Sequence, residues 1–133
     1  MSFPVVLDTN VLVSAGMRMG SPPAQVVEVV LLMRAPVFTC PAIEVEYHDV
    51  LGRPKFRKYG FPPPWFDLFL ARAFQQADPS PWPLTGPDAD DLVFLALAHA
   101  TRSVLVTGNT DDYPVQIRRG VTVMTPREWA QSA

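Results

Sequence analysis

The residues of this sequence best suited to chemistry are five acids and one amide, spread over four distant segments. They are Asp8, Glu44, Glu46, Asp88, Asp91 and Asn109. Oxygen ligands of this kind suit the hard cations magnesium and manganese. A cation held by two or more carboxylates can clamp a phosphodiester, neutralise charge on phosphorus and activate a water molecule. If these residues converge in the fold, the pattern predicts phosphate chemistry at a divalent-cation site.

Each acid also has an ordinary structural explanation. Asp8, with Asn10 beside it, could close a strand through an Asx turn. Glu44 and Glu46 flank the apolar stripe of one predicted helix from opposite sides, so helical periodicity does not choose between them. Either glutamate could be the solvated edge of an amphipathic helix.

The segment "DADD" has two compatible interpretations. Asp88 and Asp91 are three residues apart, so on a helix they lie on one side while Asp90 points elsewhere. Asp88 is also well placed as an N-cap residue, with Asp91 in the first turn. One of the two could cap the helix while the other binds a cation.

The elements that must position these residues alternate between strands and helices. Short strands are predicted over 4–8, 36–40, 103–109 and 120–125. Helices are predicted over 24–34, 41–51, 65–77, 88–100 and 126–131. The alternation predicts an α/β fold, a three-layer α/β/α sandwich around a central parallel sheet of about four strands.

In such a sheet, ligands bind at the carboxyl ends of strands beside a switch in strand order. Asp8 ends the first predicted strand and Asn109 ends the third. We therefore expect both residues to face one crevice.

Length and composition limit the class of protein. The 133 residues are 48% hydrophobic, which predicts one globular domain over residues 1–133. No long apolar run and no export segment is evident, so we expect a cytoplasmic protein without a membrane segment. Cys40 is the single cysteine and is expected to pack as a small hydrophobe.

The net charge of −2 argues against a protein that coats nucleic acid by bulk charge. Any nucleic-acid contact must therefore use a local basic patch. The segment "RPKFRKYG" is the candidate, with basic residues and aromatic residues interleaved. Its basic residues are Arg53, Lys55, Arg57 and Lys58. They could anchor RNA phosphates, or they could be a solvated helix end.

Four segments, in the correct order and covering nearly the whole chain, resemble the PIN domain and specifically its VapC-like toxins. They are "VVLDTNVLVSA", "CPAIEVEYHDVLGRPKF", "DADDLVFLALAHA" and "VLVTGNTDDYP". The resemblance implies a magnesium- or manganese-dependent endoribonuclease that is the toxin of a toxin–antitoxin pair. It also implies frequent homodimers and an antitoxin protein that occupies the active-site groove.

The resemblance assigns roles residue by residue. The first family aspartate falls on Asp8, and the helix glutamate falls on Glu46 because the count back from "RPKF" selects it over Glu44. The third acid falls on Asp91, with Asp88 as the accompanying aspartate. We expect Asp8 and Asp91 to bind one cation, and Glu46 to hold a water molecule or a second ion.

Asn109 is a departure from the family pattern, because many PIN domains have an aspartate after "TG". An asparagine carbonyl can still ligate or orient the outer shell, but it carries no negative charge, so a lower metal affinity is expected. Asp111 or Asp112 in the next turn could supply the missing charge. The segment "NTDDYP" could equally be a solvated loop.

Two other functions fit the sequence. One is a catalytically weak PIN-like module that binds RNA or protein, for which Asn109 is the supporting feature. The other is a signalling domain with Asp8 as a phospho-acceptor. Such domains gather paired acids directly after the first strand, whereas "LDTN" has one.

Overall fold

A computed structural model describes residues 3–132 of the chain. The helices are α1 (Thr9–Met17), α2 (Pro22–Leu31), α3 (Pro41–Leu51), α4 (Phe66–Arg72), α5 (Leu92–Thr101) and α6 (Pro126–Ser132). The strands are β1 (Val5–Leu7), β2 (Phe38–Thr39), β3 (Phe74–Gln75), β4 (Val104–Val106) and β5 (Val123–Met124). Every predicted strand and helix thus has a counterpart, and most are shorter than predicted.

All paired strands run parallel. One sheet has the order β1-β4-β5, and a second pairs β2 with β3. A single parallel bridge between Val5 and Val37 links the two. The predicted α/β fold with a parallel sheet is confirmed, although the main sheet has three strands and not four. The neighbours of β1 are β4 on one side and the β2 segment on the other, which is the predicted switch in strand order.

The apolar helix α5 lies at the centre of the fold. It packs against β1, β2 and β4, while α2 packs against α1, α4 and α6. Phe94, Leu95 and Leu97 of α5 are almost completely buried, as predicted for a core helix. Cys40 is also fully buried, as expected for a small hydrophobe. No helix within residues 3–132 is long and apolar enough to cross a membrane.

Helix α1 is absent from the sequence prediction. Its residues Val11, Leu12 and Ala15 are buried at helical spacing. Threonine and valine are weak helix formers, so local propensity does not reveal this helix. Packing against α2 stabilises it instead, and Asp8 becomes the residue that precedes its first turn.

The predicted helix over 65–77 is wrong at its carboxyl end. Helix α4 ends at Arg72, and Phe74–Gln75 form strand β3 beside β2. The Phe74 N–H donates to the Val37 carbonyl at 2.8 Å, and the rings of Phe38 and Phe74 lie 5.9 Å apart. These contacts with a distant segment override the local helical pattern.

Candidate metal centre

A cavity of about 330 Å³ lies at the carboxyl end of β1. Five acidic side chains from four parts of the chain line it, with Thr9, Asn10 and Ser14 among the other lining residues. The acids are Asp8, Glu46, Asp88, Asp91 and Asp112. The four residues predicted as metal ligands therefore share one cavity.

Asp8 is fixed at the junction of β1 and α1. Its backbone N–H donates to the Val106 carbonyl of β4 at 2.9 Å, which continues the strand pairing up to the carboxylate. The side chain is only 4% exposed. The Tyr113 hydroxyl donates to Oδ2 of Asp8 at 2.8 Å, and the Thr107 hydroxyl donates to the same oxygen at 3.0 Å. The backbone N–H groups of Thr9 and Asn10 also donate to this carboxylate.

Asn10 ties the start of α1 to the loop after β4. Its Nδ2 donates to the Thr107 hydroxyl oxygen at 3.3 Å, and the Gly108 N–H donates to its Oδ1 at 2.8 Å. Thr107 in turn donates to Asp8, so Asn10, Thr107 and Asp8 form a continuous hydrogen-bonded chain. This chain holds one edge of the cavity in a single arrangement.

Helix α3 presents Glu46, and not Glu44, to the cavity. The Thr9 hydroxyl donates to Oε2 of Glu46. Glu44 instead accepts a hydrogen bond from Gln75 Nε2 at 3.3 Å, outside the cavity. The buried Tyr47 hydroxyl donates to the Leu7 carbonyl at 2.5 Å and fixes α3 against the end of β1.

The aspartates of "DADD" divide the two roles that the sequence left open. A short 3₁₀ turn over Ala89–Asp91 precedes α5. Oδ1 of Asp88 accepts from the Asp90 N–H at 2.9 Å and so caps this turn. Asp91 makes no side-chain capping bond at the start of α5. Asp91 is thus free of a capping role, and it lines the cavity on the same side as Asp88.

The mutual repulsion of these acids shows in their pKa values. Burial, reinforced by the charges of Asp8 and Asp88, raises the pKa of Asp91 to about 7. Burial also raises the pKa of Asp8, although the hydrogen bonds from Tyr113 and Thr107 oppose the shift. Burial likewise raises the pKa of Glu46, against the opposing hydrogen bond from Thr9. Such a cluster gains stability from a cation.

The described lining of the cavity offers no positively charged side chain to balance these acids. No lysine or arginine is among the described residues that line it. The one ion pair within residues 3–132 joins Arg53 to Asp49 and lies outside the cavity. The donor set, all oxygen and strongly anionic, therefore fits magnesium or manganese.

The carboxylates line the cavity but do not converge on a single coordination point. Among the described residues, no three His, Cys, Asp or Glu side chains are arranged to hold a metal ion directly. Magnesium usually keeps several water molecules and binds proteins through one or two carboxylates. The arrangement therefore fits a hydrated cation better than a tight cage of protein ligands.

Asn109 lies outside the cavity, contrary to the expectation that it shares one crevice with Asp8. Its side chain is exposed, and its backbone N–H donates to the Thr107 hydroxyl oxygen at 3.1 Å. The next residues form a 3₁₀ turn over Thr110–Asp112, which brings Asp112 back to the cavity and leaves Asp111 exposed. Of these two aspartates, Asp112 lines the cavity and Asp111 does not.

The basic segment also lies outside the cavity. A 3₁₀ turn over Pro54–Tyr59 follows α3 and exposes its basic side chains. Lys55 Nζ lies 5.1 Å from the centre of the Phe56 ring, and Lys58 Nζ lies 5.2 Å from that of Tyr59. These basic residues, Arg53, Lys55, Arg57 and Lys58, are connected to the cavity through α3, which carries Glu46 and Val50.

Sequence reasoning missed the polar residues that hold the acids. Thr9, Thr107 and Tyr113 each donate a hydrogen bond to a carboxylate of the cavity. The available signal was a hydroxyl residue just beyond each of two strands, with Thr107 directly after β4 and Thr9 one residue further from β1. Tyr113 had no local signal, because its contact with Asp8 joins residues 105 positions apart.

Tyr113→Phe should reveal the strength of this support. At pH 8 we expect a loss of about 1.5–3 kcal/mol in the free energy of unfolding, since a hydrogen bond to a buried carboxylate is removed. Urea denaturation of the metal-free protein measures it. The control is Tyr59→Phe, because Tyr59 is 53% exposed. Equal effects of the two substitutions would mean that the Tyr113 hydroxyl does not support Asp8.

Comparisons with known proteins identify the family and the fold. The chain matches the family described as the PIN domain over residues 4–111. No curated protein matches it. A similar solved structure is the crystal structure of VapBC2 from Rickettsia felis bound to a DNA fragment from their promoter. The match has a TM-score of 0.64 and 16% identity, and covers 92% of this chain and 98% of the other. Since the family match spans most of the sequence, the chain belongs to the PIN domain family.

Proposed function

We propose that this protein is a magnesium- or manganese-dependent endoribonuclease and the toxin of a toxin–antitoxin pair. The observation that carries the proposal is a single cavity lined by Asp8, Glu46, Asp88, Asp91 and Asp112, with no basic side chain among its described lining residues. Membership of the PIN domain family supports nuclease chemistry. The likeness in fold to VapBC2 supports an antitoxin partner.

The proposed roles follow from the contacts of each acid. When bound, a divalent cation supplies positive charge against the scissile phosphate and lowers the pKa of a water molecule. Asp8 and Asp91 hold the cation, and the hydrogen bonds from Tyr113 and Thr107 fix the orientation of the Asp8 carboxylate. Glu46, oriented by Thr9, holds the attacking water molecule or a second ion. Asp88 and Asp112 add negative charge around the cation.

The test is cleavage of a labelled single-stranded RNA by the purified full chain. We expect cleavage with magnesium or manganese, none after chelation, and recovery when the metal is restored. A DNA strand of the same sequence is the substrate control. RNA binding without cleavage under every metal condition would contradict the nuclease and favour the binding module instead. Incorporation of acid-labile phosphate from a small phosphodonor would favour the signalling domain.

The toxin role needs a separate test in cells. We expect expression of the chain in the cytoplasm to arrest cell growth, and expression of its antitoxin to relieve the arrest. The matched control is the chain with Asp8→Asn, which should leave growth unchanged. Growth arrest of the same extent by that variant would separate toxicity from cleavage. Sedimentation of the purified chain tests the proposed homodimer.

We further propose that the basic segment anchors the RNA backbone. Its basic side chains are exposed and follow the helix that carries Glu46. The triple variant Lys55→Gln, Lys58→Gln and Arg57→Gln should weaken RNA binding. The slope of log Kd against log salt should fall by about 2, since each lost phosphate contact contributes roughly 0.7.

The control for this variant removes the same number of charges elsewhere. Arg34→Gln, Arg72→Gln and Arg127→Gln alter exposed residues that lie outside the basic segment. Their combined effect on the salt slope should be negligible. An equal effect of the two triple variants would mean that the basic segment acts only through net charge.

A further inference from the structure

A second cavity, of about 690 Å³, lies at the opposite end of the sheet from the acidic cavity. The last turn of α5 and the segments that lead into β4 and β5 surround it. Its lining is largely apolar, with Phe3, Val104 and Met124 among the contributors. Val104 of β4 and Met124 of β5 are half-buried and line this space.

The charge of this cavity is opposite to that of the metal centre. Arg102, Arg119 and His99 line it, and no acidic residue is among the described residues that do so. The Arg119 guanidinium lies 5.8 Å from the centre of the Trp82 ring, a stacking contact that orients it. Two arginines beside an apolar floor suit a ligand that carries both carboxylates and apolar groups.

The backbone at both arginines is in the left-handed region. Arg102 has φ 53° and Arg119 has φ 47°. Glycine adopts this conformation without strain, whereas a side chain with Cβ does so at a cost. Glycine therefore fits the backbone at both positions, so these side chains can be removed without strain.

The edge of β5 offers main-chain hydrogen bonds beside the same cavity. The carbonyls of Thr122 and Met124 accept hydrogen bonds from the N–H groups of Leu105 and Thr107, each at 2.9 Å. Backbone groups alternate in direction along a strand, so the N–H and carbonyl of Val123 face away from β4. No strand within residues 3–132 pairs with this outer edge.

We propose that this cavity is the docking site of an extended acidic peptide from a protein partner. The peptide adds a strand along β5, inserts an apolar side chain against Met124 and Val104, and directs carboxylates to Arg102 and Arg119. Strand addition at an exposed edge, with pockets for alternate side chains, is a recurring mode of peptide recognition. Phe3 and His99 are the aromatic rings in the described lining, and the free main-chain groups of β5 favour a peptide backbone over single-stranded RNA as the occupant. The proposal does not depend on the ribonuclease activity.

The test uses defined peptides and the full chain. The probe is a labelled, terminally blocked heptapeptide in which Glu alternates with Val around a central Phe. A second peptide with Lys in place of Glu tests charge, and a third with alternate backbone nitrogens methylated tests strand pairing. Fluorescence anisotropy should show binding of the first peptide and at least roughly tenfold weaker binding of the other two.

The variant Arg102→Gly with Arg119→Gly removes both guanidinium groups and relaxes the backbone. It should therefore keep or raise the stability to urea while it weakens binding of the acidic peptide roughly tenfold or more. The matched control is Met33→Gly, which relaxes the third left-handed residue, with φ 56°, outside this cavity. Its peptide affinity should equal that of the unmodified chain.

Three results would overturn the proposal. They are no binding of the acidic peptide at millimolar concentration, unchanged affinity in the double glycine variant, and equal binding of the acidic and basic peptides. A single-stranded RNA that binds the full chain and loses affinity in the double glycine variant, when the acidic peptide does not bind, would identify a nucleic-acid site instead.

Discussion

Asp8→Asn should abolish RNA cleavage while the fold is retained. Asp8 is the most buried acid of the cavity, and the hydrogen bonds from Tyr113 and Thr107 fix the orientation of its carboxylate. The amide removes the negative charge that would hold the cation. A bound metal contributes several kcal/mol to stabilisation of the transition state, so we expect a loss of roughly a thousandfold or more in the cleavage rate.

The same substitution should not destabilise the metal-free protein. The pKa of Asp8 is raised, chiefly by burial, so its negative charge costs more free energy in the native state than in the unfolded chain. The carbonyl oxygen of asparagine can accept the hydrogen bonds from Tyr113 and Thr107. We therefore expect an equal or greater free energy of unfolding near neutral pH, measured by urea denaturation.

The matched control is Asp67→Asn on the exposed surface of α4. It should leave both cleavage and stability unchanged. Cleavage by the Asp8→Asn protein at the rate of the unmodified chain would remove Asp8 from the proposed mechanism. A loss of cleavage accompanied by unfolding would show that Asp8 supports the fold. Cleavage by Asp91→Asn would then test the role of the acids in cation binding.

The fold follows from the sequence wherever local pattern and tertiary packing agree. The continuous apolar sequences of β1 and α5 must both be buried, and this places the two elements in the core. Helix α1 and strand β3 were not predicted, since α2 stabilises the first and β2 pairs with the second. Neither contact produces a recognisable hydrophobic periodicity in the sequence of α1 or β3.

The acids of the candidate site could be found because carboxylates at strand ends and helix ends are conspicuous in a sequence. Periodicity does not choose between Glu44 and Glu46, and the prediction of Glu46 came from the family resemblance; in the structure Glu46 meets Thr9 and Glu44 meets Gln75. The same limit applies to Asp112. A 3₁₀ turn over Thr110–Asp112 brings it to the cavity in the place expected for Asn109.

Divalent cations should stabilise the fold, and their effect should depend on pH. A ligand that binds only the native state at a concentration of 100 times its Kd adds about 2.7 kcal/mol to the free energy of unfolding. We expect an effect of this order from saturating magnesium or manganese near pH 8, above the pKa of about 7 of Asp91. Urea denaturation with and without the metal measures it, and potassium at matched ionic strength is the control.

The metal-free protein should show the opposite dependence on pH from a protein stabilised by ion pairs. The pKa of Asp91 is about 7 in the native state, and an aspartate in the unfolded chain titrates near 3.9. As the pH falls from about 8 towards 5, the native state takes up protons that the unfolded state does not, so stability rises. The gain in the free energy of unfolding from the metal should decrease over the same pH range, because protons compete with the metal for the same carboxylates. In Asp91→Asn both trends should flatten. If the stability of the metal-free protein instead decreases as the pH falls from about 8 towards 5, the acids do not repel one another. The cavity would then need no cation.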